Sequence, residues 1–241
     1  MKKQILSFLL ALSLPAASLA AVTQTGTEEG TFYYPDESDP TTATYQYHYS
    51  YPRFDGADEV AEAINNVFTY QVDDAAGFAV PMMGEMADGP ASTEVRAEIS
   101  YQDDAWMSVR ILTTQHSEAG DTAVLSAYVF ALTGGRAGEV SSLPRVLGVL
   151  KDDETDEWMK DRQTERANTL VREMVWERLQ ERMLLPETTE QSLEKEFYPE
   201  QDFYLDAEGN PVFFLQAGTV ADAAEGVVEV MIPLEELKDE W

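Results

Sequence analysis

The sequence predicts an α+β fold: an antiparallel sheet built from hairpins, with helices packed on one face, as one domain or two subdomains. Three observations carry this. Apolar residues alternate in steps of two over several short runs, each closed by Gly, Asn, Asp or Pro. Two other stretches, 57–72 and about 155–184, repeat their apolar residues at helical spacing instead. Strands grouped in hairpins and interrupted by helices, rather than strictly alternating with them, favour an antiparallel sheet.

The elements follow in order. Residues 1–20 read as a signal peptide: Lys2 and Lys3 start it, 5–14 form an apolar core, and Ser18-Leu19-Ala20 is a small-x-small cleavage site. That core is too short to span a bilayer, which takes about 20 apolar residues. The expected product is soluble and exported, periplasmic or extracellular, without a transmembrane anchor. Residues 21–43 are a polar flexible leader with a first strand at 30–35 on Phe32, Tyr33 and Tyr34. Residues 44–90 form a β–α module. In its strand, 44–51, Tyr45, Tyr47, Tyr49 and Tyr51 alternate with Gln46, His48 and Ser50, so all four rings share one face. Its helix, 57–72, carries Val60, Ile64, Phe68 and Val72 as one stripe. Gly77, Pro81, Gly84, Gly89 and Pro90 mark 73–90 as a loop, where Met82, Met83 and Met86 can cover apolar surface.

Residues 91–241 form the second module. Runs 93–101 and 105–113 make a hairpin around Gln102-Asp103-Asp104, followed by a loop at 114–120. Run 123–132 is apolar almost throughout, as in a central strand. The long helix has Asp152, Asp153 and Glu154 at its start and Arg172, Arg178 and Arg182 toward its end, as the helix dipole prefers. Pro186 ends it, and 189–197 is a second short helix. Strands 203–205 and 212–216 flank a turn containing Gly209-Asn210, with Pro211 at the start of the second strand. Val228, Val230 and Ile232 alternate in a last strand, 226–233, and 234–238 makes one helical turn.

The 241 residues hold 45 acids and 16 Lys or Arg, a formal charge of −29. Removing residues 1–20 takes away Lys2 and Lys3 and no acid, which moves it to −31. Such a surface repels nucleic acid and anionic lipid. It suits either solubility alone or the steering of a cationic partner. With 44% hydrophobic residues and four Trp the chain can still bury a core. Without Cys there is no disulfide framework and no thiolate metal site.

Catalytic signals are weak. Of the two histidines, His48 lies mid-strand and His116 in a polar loop. No Gly-x-Ser-x-Gly elbow, His-Glu-x-x-His helix or Gly-rich phosphate cradle occurs. With 45 acids, spacings that mimic a glycosidase pair arise by chance. Asp152-Asp153-Glu154 and Asp202/Asp206 have the chemistry for Ca²⁺ but not the EF-hand spacing. No catalytic residue, metal or cofactor is therefore expected. The tyrosine row has two readings: a sheet face packed on the 57–72 helix, or a platform for a sugar or protein in which Tyr45, Tyr47 and Tyr49 bind.

The run Phe203-Tyr204-Leu205, acidic turn, apolar strand, Ala223-Ala224-Glu225-Gly226 and Val228-Glu229-Val230-Met231-Ile232-Pro233-Leu234-Glu235-Glu236-Leu237 resembles the C-terminal part of the RsiV family. Tyr51-Pro52-Arg53-Phe54-Asp55-Gly56 with Ile64-Asn65-Asn66, and Phe130-Ala131-Leu132-Thr133-Gly134, are similar to its earlier segments. The family comprises extracytoplasmic lysozyme-sensing domains of anti-sigma factors and stand-alone exported relatives. The resemblance implies an α+β fold and a non-catalytic binding protein whose partner is a cationic protein such as lysozyme. It also points to the loop before Gly226, and so to Asp222 and Glu225, as partner-binding. Relatives often carry a Pro and an aromatic there; this chain has neither. Lacking the anti-sigma members' cytoplasmic segment and membrane span, it is not expected to regulate a sigma factor. The alternatives are a cell-wall glycan-binding module using the tyrosine row, and a glycan hydrolase using a carboxylate pair.

Overall fold

A computed structural model describes residues 22–36, 39–55, 59–151, 156–182, 190–220 and 226–241. The expected signal peptide, the Asp152-Asp153-Glu154 cluster, Pro186, and the proposed binders Asp222 and Glu225 lie outside the described residues.

The fold is α+β, as expected. A five-stranded sheet runs in the order β1-β2-β3-β4-β5, with β1 Thr23–Tyr34, β2 Tyr45–Asp55, β3 Ala91–Gln102, β4 Trp106–Ser117 and β5 Gly120–Ala131. All neighbours are antiparallel except β2 and β3, which run parallel and are joined by a helical crossover. Of the expected loop 73–90, residues 73–86 are helical and only 87–90 are not. The helical part belongs to one run: α1 Glu59–Asp74, a π turn Ala75–Ala79 and α2 Val80–Met86. The Val80 N–H reaches back to the Ala75 carbonyl, a five-residue bond. That wide turn lets the helix absorb Pro81, which has no N–H to give and crowds the preceding turn.

α1 lies over the tyrosine face. Ile64 and Phe68 are buried, and Phe68 stacks on Tyr51 at 5.3 Å between centroids and meets Phe130 edge-on at 6.0 Å. Val95, Val109 and Ile111 complete this core. Asn65 locks the helix to the strand: its side-chain amide accepts from the Phe54 N–H at 3.0 Å and donates to the Phe54 carbonyl at 2.8 Å.

The opposite face of the sheet carries a second core. α3 Leu143–Val146, α4 Glu157–Glu181, α5 Glu190–Glu196 and α6 Leu234–Asp239 surround a small sheet, β6 Phe203–Leu205, β7 Pro211–Leu215 and β8 Val228–Met231. Ala167, Val171, Val175 and Leu179 of α4 pack on Phe213, Leu215 and Val230, and Val129 of β5 joins them. Helices thus cover both faces, where the sequence placed them on one. The seam between the sheets includes a polar contact: buried Ser108 accepts the Leu205 N–H at 3.0 Å through its hydroxyl and pairs with Ser100 at 3.0 Å.

Three boundaries differ from expectation. β1 begins at Thr23, inside the expected leader, because it pairs with β2 along its length. The 114–120 loop is a tight hairpin, and His116 pairs with Asp121 within it. β5 is an edge strand rather than a central one. Its edge is satisfied locally: Gln216 donates to the Leu125 carbonyl at 2.7 Å and accepts the Leu125 N–H at 3.1 Å. Farther along, Ser141 donates to the Val129 carbonyl and Gly138 to that of Ala131.

Candidate binding surface

The tyrosine row is a packed face. Tyr45 and Tyr51 are 2% and 3% exposed, and Tyr47 and Tyr49 are partly buried beside Phe32. Tyr45 donates to Thr93 at 2.6 Å. The Tyr49 phenol lies so close over Gly30 that any side chain there would collide with it. Burial raises the pKa of all four phenols. The arrangement is the packing alternative and not an open platform for a sugar.

On the outer side of β2, His48 is exposed and meets Thr31 at 2.8 Å. It borders a shallow hollow of about 680 Å³ with Glu29, Glu94 and Arg96. The other histidine, His116, stands 2.9 Å from Asp121.

A second hollow, of about 510 Å³, opens where the C-terminal end of α2 meets the starts of β2 and β3 and the β4–β5 hairpin tip. Its apolar lining includes Tyr45, Met83, Met86, Ala87 and Pro90; Asp88, Glu118 and Asp121 add carboxylates. α2 is pressed against β1 through Gly84, whose Cα faces the Tyr34 ring with no room for a side chain. Its other side is bare. Phe78, Met82 and Met86, four residues apart, are 61%, 40% and 70% exposed, and Tyr70 of α1 is 67% exposed. From residue 54 to 95 the chain has no Lys or Arg and nine carboxylates. The stretch that carries α1 and α2 therefore bears carboxylates only, while Arg53 of β2 reaches α1 at the Asn65 carbonyl and Thr69 and is paired with Glu28.

The C-terminal turn segments are structural. Asp206 accepts from the Glu208 N–H at 3.0 Å and the Asn210 N–H at 2.8 Å, closing the turn in which Gly209 adopts φ +82°. Asp202 accepts from the Tyr198 N–H at 2.7 Å, and burial pushes its pKa up to about 6, with Glu200 adding to the rise. Neither Asp202 nor Glu200 lines the hollows above. Among the described residues no group of three His, Asp or Glu is placed to hold a metal ion, and no helix is long and apolar enough to cross a membrane.

Of the residues singled out in the sequence, the structure brings Tyr45 to the 510 Å³ hollow and Tyr49 to the rim of the shallower one. Met82 and Met86 stand out in the sequence only as loop residues that cover apolar surface, whereas they are exposed and fall in one helical stripe with Phe78, whose spacing Gly77 and Pro81 hide. The signal was there in the four-residue steps and in the absence of basic residues.

Residues 158–235 match the model of a family described as "Protein of unknown function (DUF3298)". A solved member of that family from Bacteroides fragilis superposes with a TM-score of 0.51 at 14% identity, over 91% of this chain and 93% of that one. Another, from Pseudomonas aeruginosa PAO1, gives 0.50 at 14% identity, over 88% and 91%. These likenesses show a shared fold. No curated protein matches the chain.

Proposed function

We propose that the chain is an exported, non-catalytic binding protein of the RsiV type, whose acidic surface takes a cationic protein such as a basic lysozyme. The observation that carries the reading is the surface around α1 and α2: an apolar stripe and hollow within a stretch that bears nine carboxylates and no Lys or Arg. A net charge of −29 adds long-range attraction for a basic partner, which raises the encounter rate and fades as salt screens it. The match over residues 158–235 supports the resemblance, since RsiV-type proteins carry the same domain. Export rests on the signal-like residues 1–20.

The test is capture of a basic lysozyme by the purified chain at low and high salt. Binding that weakens steeply with salt supports the reading; no binding at low salt removes this partner.

A further inference from the structure

We propose that the outer face of α2 and the hollow at its end form a docking groove for a cationic amphipathic helix of a protein partner. The inference rests on the binding-protein reading and names the surface and the partner's chemistry.

Phe78, Met82 and Met86 repeat every four residues and stand 40–70% exposed, so they form one stripe along the helical run. Tyr70 belongs to it as well. Eight residues of regular helix would turn Tyr70 about 80° away from Phe78, but the extra residue of the π turn removes about 100° of that rotation, leaving about 20°. The apolar stripe from Phe78 to Met86 thus runs about two turns, with Tyr70 on the same side beyond the exposed Asp73 and Asp74, and no described residue covers it. Its methionines are unbranched and adapt to an irregular partner. At its C-terminal end the 510 Å³ hollow, floored by Met83 and Pro90, has room for an apolar side chain.

Charge selects the occupant. Glu85 and Asp88 flank the stripe and Glu118 edges the hollow, all exposed, while Asp121 at the same edge is already met by His116 at 2.9 Å. A helix with apolar residues at i, i+4 and i+8 and Lys or Arg on either side meets both features at once. A second copy of this chain would bring the same carboxylates against them. An anionic lipid surface would be repelled.

The probe is a synthetic Leu/Lys peptide whose order makes an amphipathic helix, with a scrambled peptide of identical composition as control. Both are titrated into the full chain, with peptide helicity followed by circular dichroism. The ordered peptide is expected to gain helicity and bind at least about tenfold more tightly than the scrambled one. Replacing Phe78, Met82 and Met86 together by Ser is expected to remove at least about tenfold of that affinity with little change in Tm, since all three are exposed. The double variant Glu85→Gln/Asp88→Asn, which leaves the stripe intact, is expected to flatten the salt dependence. Equal binding of the two peptides, or an unchanged affinity in both variants, overturns the groove. So does a serine variant that alters only the chain's own self-association. Salt-sensitive capture of a basic lysozyme alongside any of those results leaves the proposed function standing; loss of that capture removes both.

Discussion

Asp202 and Ser108 show what single polar groups do inside this fold. Burial holds the Asp202 carboxyl at a pKa of about 6, against 3.8 for a free one. A raised acid favours its protonated form in the folded state. Its contribution to stability is full below about 3.8 and is lost as pH rises toward 6. Asp202→Asn keeps an oxygen for the Tyr198 N–H but cannot ionise. Relative to the variant, the parent protein is therefore expected to lose stability between these two pH values, measured as a widening Tm difference. Ser108 is fully buried between the two sheets and bonded on both sides. Ser108→Ala leaves the Leu205 N–H without its partner, and a loss of about 1–3 kcal/mol is expected by denaturant unfolding. At this scale the sequence was partly readable. The step-of-two spacing of Tyr45 to Tyr51 gave their common face, but only the position of α1 shows what covers it. Asp206 could be read as a turn residue, because Gly209 and Asn210 stand beside it. Nothing local marks Ser108, whose partner is 97 residues away.

Two elements carry most of the misreadings, for physical reasons. α2 looked like a loop because Gly77, Pro81 and Gly84 are ordinary breakers. Each has a particular setting here: Pro81 follows a widened turn and Gly84 makes room for Tyr34. The π turn also breaks the stripe's phase, so α1 and α2 do not share one period. Gly84→Val is expected to push α2 off β1 and lower Tm, whereas Gly77→Ala, with open space around it, is expected to leave it nearly unchanged. β5 looked central because it is apolar on both faces. It is an edge strand whose unpaired groups are met by Gln216 and by residues 138–141. Gln216→Ala exposes that edge; about 1–3 kcal/mol of lost stability and greater aggregation on heating are expected, read by unfolding and light scattering. The β6–β7 hairpin was found from the sequence because its turn chemistry is local, and Pro211 does open β7.

At the scale of the whole molecule, charge and shape point the same way. A chain with 45 acids and 16 basic side chains spreads repulsion over its surface, and the fold holds against it through two apolar cores on opposite faces of one sheet. Ion pairs such as Arg178–Glu236 at 2.6 Å and Arg110–Glu229 at 3.1 Å tie α4 and the long sheet to the C-terminal elements. Most carboxylates remain to face outward. The α+β class and the acidity were readable from composition and pattern; the apolar stripe among carboxylates was not, because it depends on α2 being a helix. The central claim is that this surface recognises a cationic protein and performs no chemistry on it. The most direct measurement is the association rate of a basic lysozyme with the full chain across a salt series, with the lysozyme recovered and its mass determined afterwards. The account predicts fast association at low salt, a steep fall as salt rises, and an unaltered partner. A rate that does not depend on salt, no association at low salt, or a covalently changed lysozyme would contradict it.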